Sequence, residues 1–489
     1  MTLESHSQLQ SHASRAIRSL KDLTGPKGLP FLGNMLEIEM GQMHRKLETW
    51  AEIYGDSYQF TIGPRQFMVC ANPDDISTVL KDRPGGFSRT SRLQLIAREL
   101  GIEGVFSANG DVWRRQRPLV MAAFNPTHVK AYFPSLRIVT NRFLKRWTTY
   151  ANVLQPFDLE PELMRYTVDV TAGLAFGSDI NTIESEDVTI QKHLEDIFRM
   201  LQKRLFAPFP YWHWIKFAED RKLDEDIKFV HKAVLEFIHA ARERLERDPT
   251  LREHPGNMLE AMIVARGEDN TALTESELIG NVVTMLLAGE DTTAHTLAWL
   301  IHMLYHHPAV MERVRTEVDQ VLGSEPLPVC HEQLGQLDYI DTCINEAMRL
   351  RPVAPLIVLE ACHDSVVAGT AITKGTVLML LTRVGSMDTG NFVDASMFNP
   401  DRWTASSTAA NQRKVSIPFG AGPRMCPGRY LALEEMKMVI STLVWNFDIV
   451  EVATPDGKEV QEKLAFTLSP VGLRMKLKPR IQQSLSGRR

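Results

Sequence analysis

Apolar residues recur at helical spacing through segments 111–124, 139–150, 158–176 and 188–206, each predicting an amphipathic helix. The sharpest boundary comes later. Thr274-Glu275-Ser276-Glu277 is a capping box, an N-cap hydroxyl with an acid three residues on, and the helix it opens runs until Pro308. Such a helix is roughly 45–50 Å long, enough to cross a whole domain. Its middle is apolar from Val282 to Ala288 and then turns acidic. Glu290 and Asp291 would be costly in lipid, so a central buried helix is expected rather than a membrane span. Helical spacing resumes to Arg351, where Pro352 ends it. Pro352 to Met379 then has strand character with a turn at Lys374-Gly375, and Tyr58 to Cys70 alternates around Gly63-Pro64 as a hairpin does. A last helix is predicted from Pro427 to Val439, with proline in its first turn and apolar Leu431, Leu433, Met436, Val439 and Ile440. These elements make a mainly α protein with a smaller β-rich part.

Length alone would allow about three domains. No Gly-, Ser- or Pro-rich linker, repeat or low-complexity block divides the 489 residues. The expectation is one domain over residues 25–480, a polar flexible leader at 1–24 and a tail at 481–489. A net charge of −5 argues against nucleic acid as a partner. The five cysteines, Cys70, Cys330, Cys343, Cys362 and Cys426, are odd in number and sparse, which fits a reducing compartment. Residues 1–24 hold no apolar run long enough for a signal peptide or a membrane span, so a cytoplasmic monomer is the expectation.

The most specific chemistry lies in Phe419-Gly-Ala-Gly-Pro-Arg-Met-Cys-Pro-Gly428. One cysteine stands in a glycine-rich loop just before a helix, where free N–H groups and the helix dipole stabilise a thiolate. Gly420, Gly422 and Gly428 let the backbone approach something large and flat. Arg424 can neutralise an acid on it. Those needs describe a haem bound through cysteine. An inert buried cysteine is the commoner fate of this residue, but it does not account for Phe419, Arg424 and three glycines around it.

This loop resembles the haem-binding signature of the cytochrome P450 family, Phe-x-x-Gly-x-Arg-x-Cys-x-Gly, at Phe419, Gly422, Arg424, Cys426 and Gly428. Ala288-Gly-Glu-Asp-Thr-Thr293 resembles the family's oxygen-activation segment and Glu346-Ala-Met-Arg349 its Glu-x-x-Arg pair. The likeness runs from about Gly25 to about Lys478. It implies a P450-like fold, a large helical lobe with a long central helix beside a smaller β-rich lobe. It implies haem b with Cys426 as iron ligand and dioxygen as co-substrate. Trp113 and Arg117, four apart on one helix face, resemble the propionate-binding pair that Arg424 completes. Arg114 and Arg115 are expected to face outward, as a charged cluster usually does.

Further roles follow from the same likeness. Ala288 and Gly289 would let the central helix approach the haem, Thr292 would donate to bound dioxygen, and Asp291 would relay protons. The plain alternative for Thr292 is a bond back to the preceding turn. Glu346, Arg349 and Arg402 are expected to form a structural network. Pocket walls are expected at Val105, Phe106, Met285, Ala354, Leu356 and Phe466, nearly all apolar, which points to an apolar substrate such as a fatty acid, terpenoid or steroid-like molecule. Residues 207–214, an aromatic proline-broken connector, read either as a lipid- or substrate-facing mouth or as a packed loop. Cys330-His331 and Cys362-His363 lack further zinc ligands at useful spacing.

No flavin, nicotinamide or iron–sulfur motif is present, so electrons are expected from a separate ferredoxin or flavoprotein reductase. Arg114, Arg115, Arg413, Lys414, Arg429 and Lys437 are candidates for its docking face. The reading is thus a monooxygenase that hydroxylates or epoxidises an apolar molecule. Peroxide-driven oxidation or an isomerase on the same fold is the near alternative. A haem-binding sensor is the distant one, and it would not need Asp291 and Thr292.

Overall fold

In the computed structural model, which describes residues 17–185, 189–267, 270–404 and 407–481, helices dominate. The principal ones are α1 (Met43–Tyr54), α2 (Gly110–Ala123), α3 (Phe133–Asn152), α4 (Leu159–Phe176), α5 (Thr189–Phe206), α6 (Ala218–Arg247), α7 (Glu275–His306), α8 (Pro308–Leu322), α9 (Asp338–Leu350) and α10 (Arg429–Asn446). The capping box at the start of α7 is realised on both sides. The Thr274 hydroxyl accepts from the Glu277 N–H, and the Glu277 carboxylate accepts from the Thr274 N–H at 2.9 Å. α7 packs along α4 and also meets α6, α9 and α10, so it is the axis of the helical core.

The helical pattern predicted up to Arg351 is broken in two places. Gly323 ends α8 in a left-handed conformation, and Pro326 and Pro328 hold the chain out of helix until a short turn at His331–Gly335 precedes α9. The last helix also departs from expectation. It starts at Arg429 rather than Pro427, with Gly428 as the cap whose carbonyl accepts the first helical hydrogen bond, from the Ala432 N–H.

The β-rich lobe is built on β1 (Ser57–Ile62), β2 (Arg65–Cys70), β3 (Leu356–Ala361) and β4 (Val377–Leu381). The predicted hairpin is β1 antiparallel to β2; β2 pairs parallel with β4, β4 antiparallel with β3, and Phe87–Ser88 closes the edge. This lobe has its own apolar clusters, one with Trp50, Tyr58 and Phe60 and another with Ile76, Leu80 and Leu380. A separate hairpin, β5 (Glu462–Leu464) against β6 (Leu468–Pro470), reaches α7. Of the expected leader and tail, residues 1–16 and 482–489 lie outside the described residues. Arg18–Ser19 already pairs with Thr370–Ala371, and Leu23 is buried.

Candidate functional site

The loop before α10 is shaped by two glycines in the left-handed region, Gly420 (φ 72°) and Gly422 (φ 70°). A side chain on Gly422 would run into the Leu80 carbonyl. The Cys426 N–H donates to the Phe419 carbonyl at 2.9 Å, folding the loop back on itself. Cys426 lines a cleft of about 370 Å³, together with Met121, Phe124, Met425 and Arg429. Solvent reaches it, yet protein surrounds it on most sides. Those surroundings push the thiol up, while the Gly428 N–H and the Arg117 guanidinium favour the thiolate.

Beside this loop four guanidinium groups crowd together. Arg424 lies over the Trp113 ring, 4.6 Å from its centroid, and donates to the Ala108 carbonyl at 2.6 Å. Arg117 donates to the Met425 carbonyl at 2.5 Å. Burial lowers Arg424 to about 9, with Arg83 and Arg117 adding repulsion. Burial likewise lowers Arg83 to about 10 with help from Arg117, and Arg89 to about 9 with help from Arg83 and Arg424. The buried Arg424 Nε has no hydrogen-bond partner. Cations that lower one another in this way call for anions, and the two carboxylates of a haem are chemically suited to that place. Trp113, Arg117 and Arg424 are thus brought together as expected. Arg83 and Arg89 join them from the segment Arg83-Pro-Gly-Gly-Phe-Ser-Arg89, with five residues between the two arginines, which carries no local sign of that role.

On α7, Ala288, Asp291 and Thr292 share one face, and that face is accessible although Leu287, Glu290 and Thr293 beside it are buried. Gly289 does not belong to that face. A side chain there would meet the Thr171 hydroxyl at 2.5 Å, so its smallness lets α7 approach α4 rather than a cofactor. The Thr292 hydroxyl donates to the Ala288 carbonyl at 2.8 Å, the back-bond that a mid-helix threonine commonly makes. Burial raises Asp291, with Glu160 adding to the rise and His295 and Thr467 opposing it. Glu290 is 1% exposed, neither carboxyl oxygen has a partner, and burial raises it well above the ordinary range. It is held as the neutral acid.

The expected pocket walls meet in part. Phe106 and Phe466 lie 5.7 Å apart, and Phe198 of α5 adds a third ring 5.0 Å from Phe466. Val105 is fixed to α7 by its N–H, which donates to Asn281 at 2.8 Å, and Met285 is buried on the same helix. Leu356 packs with the β-lobe core and Ala354 is exposed, its carbonyl accepting from Thr382. The Arg89 guanidinium sits 4.1 Å from the Phe106 centroid. Ring contacts therefore run from the arginine cluster through Phe106 to Phe466, whose neighbour in the chain, Thr467, lowers the Asp291 carboxyl.

The structural network is formed as expected. Glu346 accepts from Arg349, from Arg402 at 2.9 Å and from the Trp403 indole at 2.8 Å. Two docking candidates are otherwise engaged. Arg115 turns to Glu277 instead of facing outward, because the capping acid of α7 lies next to α2. Lys437 is drawn in to Asp341 and the Leu334 carbonyl. In the connector, Trp212 is buried, donating to Glu99 at 2.9 Å with Arg204 over its ring, while Phe209, Trp214, Ile215 and Phe217 are exposed. His331 pairs with Glu434 at 2.6 Å.

A cysteine at a helix start, a cluster of carboxylate-seeking arginines and an acid–alcohol pair on an open helix face fit a haem–thiolate oxygenase. The chain belongs to the cytochrome P450 family, whose profile matches residues 23–477. It is similar to pentalenene oxygenase of Streptomyces avermitilis, 27% identical over 464 residues, covering 94% of this chain and 97% of the relative. It is also similar to thromboxane-A synthase of Sus scrofa, 27% identical over 458 residues (86% and 85% covered). Against a self-sufficient cytochrome P450 monooxygenase of Exserohilum turcicum, 25% identity extends over 96% of this chain but 43% of the relative. The protein is a cytochrome P450 monooxygenase that works with thiolate-ligated haem, dioxygen, a substrate and a redox partner. Among the described residues no helix is long and apolar enough to cross a membrane.

Proposed function

We propose that this monooxygenase hydroxylates or epoxidises a bulky apolar molecule, a fatty acid, terpenoid or steroid-like compound, using electrons from a separate ferredoxin or flavoprotein reductase. The observation that carries the substrate class is the meeting of Phe106, Phe198 and Phe466, three rings from distant segments, next to Thr467, which is hydrogen-bonded to His295 of α7. One haem–thiolate domain, residues 25–480, does the work.

In this reading Cys426 ligates the iron. When bound, the haem activates dioxygen, the thiolate donating electron density that favours O–O cleavage. The chain's own residues prepare that chemistry. The Gly428 N–H and Arg117 hold negative charge on the sulfur. Trp113, Arg117 and Arg424, joined by Arg83 and Arg89, hold the propionates. The three phenylalanines exclude water and hold the substrate by contact. Asp291 offers a carboxyl that burial makes a better proton acceptor, and Thr292 supplies a hydroxyl one residue away on the same open face. The electron partner docks over the cleft at Cys426, where Arg429 supplies positive charge, with the exposed Arg114 further along α2.

A spectral titration with fatty acids, terpenes and steroids tests the substrate class. Expected is a blue shift of the Soret band with at least one apolar class. A shift produced by charged or sugar-like molecules alone overturns it. The role of the acid–alcohol pair is tested by Thr292→Ala, which is expected to divert reducing equivalents from product to peroxide. A fully coupled Thr292→Ala enzyme overturns that role.

A further inference from the structure

His295 lies one helical turn beyond Asp291 on α7, so both project from the same side of the helix. Only 4% of it is exposed, yet both ring nitrogens are engaged. Nε2 meets Glu160 Oε1 at 2.7 Å, and Nδ1 meets Thr467 Oγ1 at 3.0 Å. The Thr467 hydroxyl, itself buried, also lies close enough to the Asp291 carboxyl to lower it against the effect of burial. At the other end Glu160, in the first turn of α4, keeps 27% of its side chain exposed. Two hydrogen bonds, Glu160–His295 and His295–Thr467, thus lead inward from the molecular surface and bring a hydroxyl beside the acid on the open face of α7. Three segments far apart in sequence supply it: the start of α4, the middle of α7 and the tip of the β5–β6 hairpin.

We propose that Glu160, His295 and Thr467 form a relay that carries protons from bulk water to Asp291. The proposal rests on the reading of Asp291 as the acid of the reaction site. A tie made only to hold α4 against α7 would be complete at the Glu160–His295 pair. This one continues to a hydroxyl, which can accept and donate at once, placed beside a second carboxyl. The neighbouring Glu290 is no part of it, since its carboxyl oxygens have no hydrogen-bond partner.

The transfer balances. Glu160 takes a proton from water and passes it to Nε2 of His295, so one O–H breaks and one N–H forms. The imidazolium releases its Nδ1 proton to Thr467 Oγ1, and the Thr467 hydroxyl proton passes to the Asp291 carboxylate. One proton enters and one arrives. The imidazole is left as its other tautomer and turns over before the next transfer. His295 suits this role, for although burial alone would lower it, Glu160 and Asp291 outweigh burial and raise it.

The relay is tested in the holoenzyme with Glu160→Gln, His295→Gln and Asp291→Asn. The Glu160→Gln and His295→Gln enzymes are expected to bind haem and substrate as the parent does but to release more peroxide per reducing equivalent, with product formation down roughly tenfold. Acetate added to a Glu160→Gly enzyme is expected to restore coupling as its concentration rises. A readout independent of turnover is the ¹⁵N spectrum of His295 in the ferrous–CO form. Its titration is expected to move to lower pH in both Glu160→Gln and Asp291→Asn. If Asp291→Asn leaves the His295 signals unmoved, or if Glu160→Gln and His295→Gln stay coupled, the relay is overturned. Should His295→Gln fail to fold, Glu160→Gln, at a partly exposed helix start, decides alone. If Asp291→Asn itself remains coupled, the reading of the site fails; if it uncouples while the other two do not, only the relay fails.

Discussion

The Arg349 guanidinium meets both oxygens of Glu346 at 2.8 Å, and neither side chain is exposed. The remaining Arg349 donors reach the carbonyls of Ser386 and Ala395 at 2.6 Å and of Met397 at 3.1 Å. One side chain thus fixes α9 to the segment that leads toward the haem loop. Removing it leaves a buried carboxylate and three carbonyls short of donors. Arg349→Ala is expected to cost about 3–5 kcal/mol, read as a lowered thermal midpoint. Arg349→Lys is expected to recover little of it, since a lysine cannot bridge both oxygens and reach the carbonyls together.

The arginine cluster leads to a prediction with two opposite signs. Arg424 is lowered first by burial and then by Arg83 and Arg117, so its charge burdens the protein unless carboxylates answer it. Arg424→Leu is expected to speed haem loss about tenfold, from the loss of a charge-assisted hydrogen bond. The haem-free protein is expected to be no less stable than the parent. Transfer of haem to a scavenger protein measures the first, and urea unfolding of the apoprotein the second.

A pH dependence is expected from Glu462. Burial would raise this carboxyl, but His44 at 3.0 Å, Arg383 and Arg351 outweigh burial and hold it well below its ordinary value of 4.5. A depressed folded-state pKa contributes stability above the unfolded value, and that contribution is lost as pH falls toward the folded one. Glu462→Gln is therefore expected to melt well below the parent at neutral pH. The gap is expected to narrow as pH drops below ~4.3, the unfolded range for Glu. Melting curves of both proteins between neutral and acid pH check this.

Phe466 stands between Phe106 and Phe198. Phe466→Ala is expected to weaken binding of an apolar ligand by about 1–3 kcal/mol, read as a rise in the half-saturation point of the Soret titration. Phe466→Leu, which keeps an apolar wall, is expected to lose less.

Legibility in the sequence followed the range of the interactions. The haem loop, the capping box of Thr274 and Glu277, and the Glu346–Arg349 pair were readable because their geometry is set within a few residues. The face shared by Ala288, Asp291 and Thr292 was readable from the helical period, but the orientation of Gly289 was not, since only Thr171 across the interface gives it a purpose. Arg83 and Arg89 join Arg424 across more than three hundred residues, and no local pattern reports such a meeting. Arg115 was misjudged for the same reason: the acid that turns it inward belongs to α7. His295 left a faint local trace, a histidine four positions after an acid on one helix, but Glu160 and Thr467 come from elsewhere in the chain.

Phe466 and Thr467 are consecutive residues at the tip of one hairpin, the first among the pocket rings and the second hydrogen-bonded to His295. On the pocket and relay proposed above, selectivity and efficiency are set on the same few ångströms of backbone. A lineage that reshapes this tip to admit a new molecule also moves the hydroxyl next door and pays in wasted reductant until that hydroxyl is realigned. Changes of diet in this enzyme should accumulate first at Phe106 and Phe198, where the wall can be altered without disturbing the supply of protons.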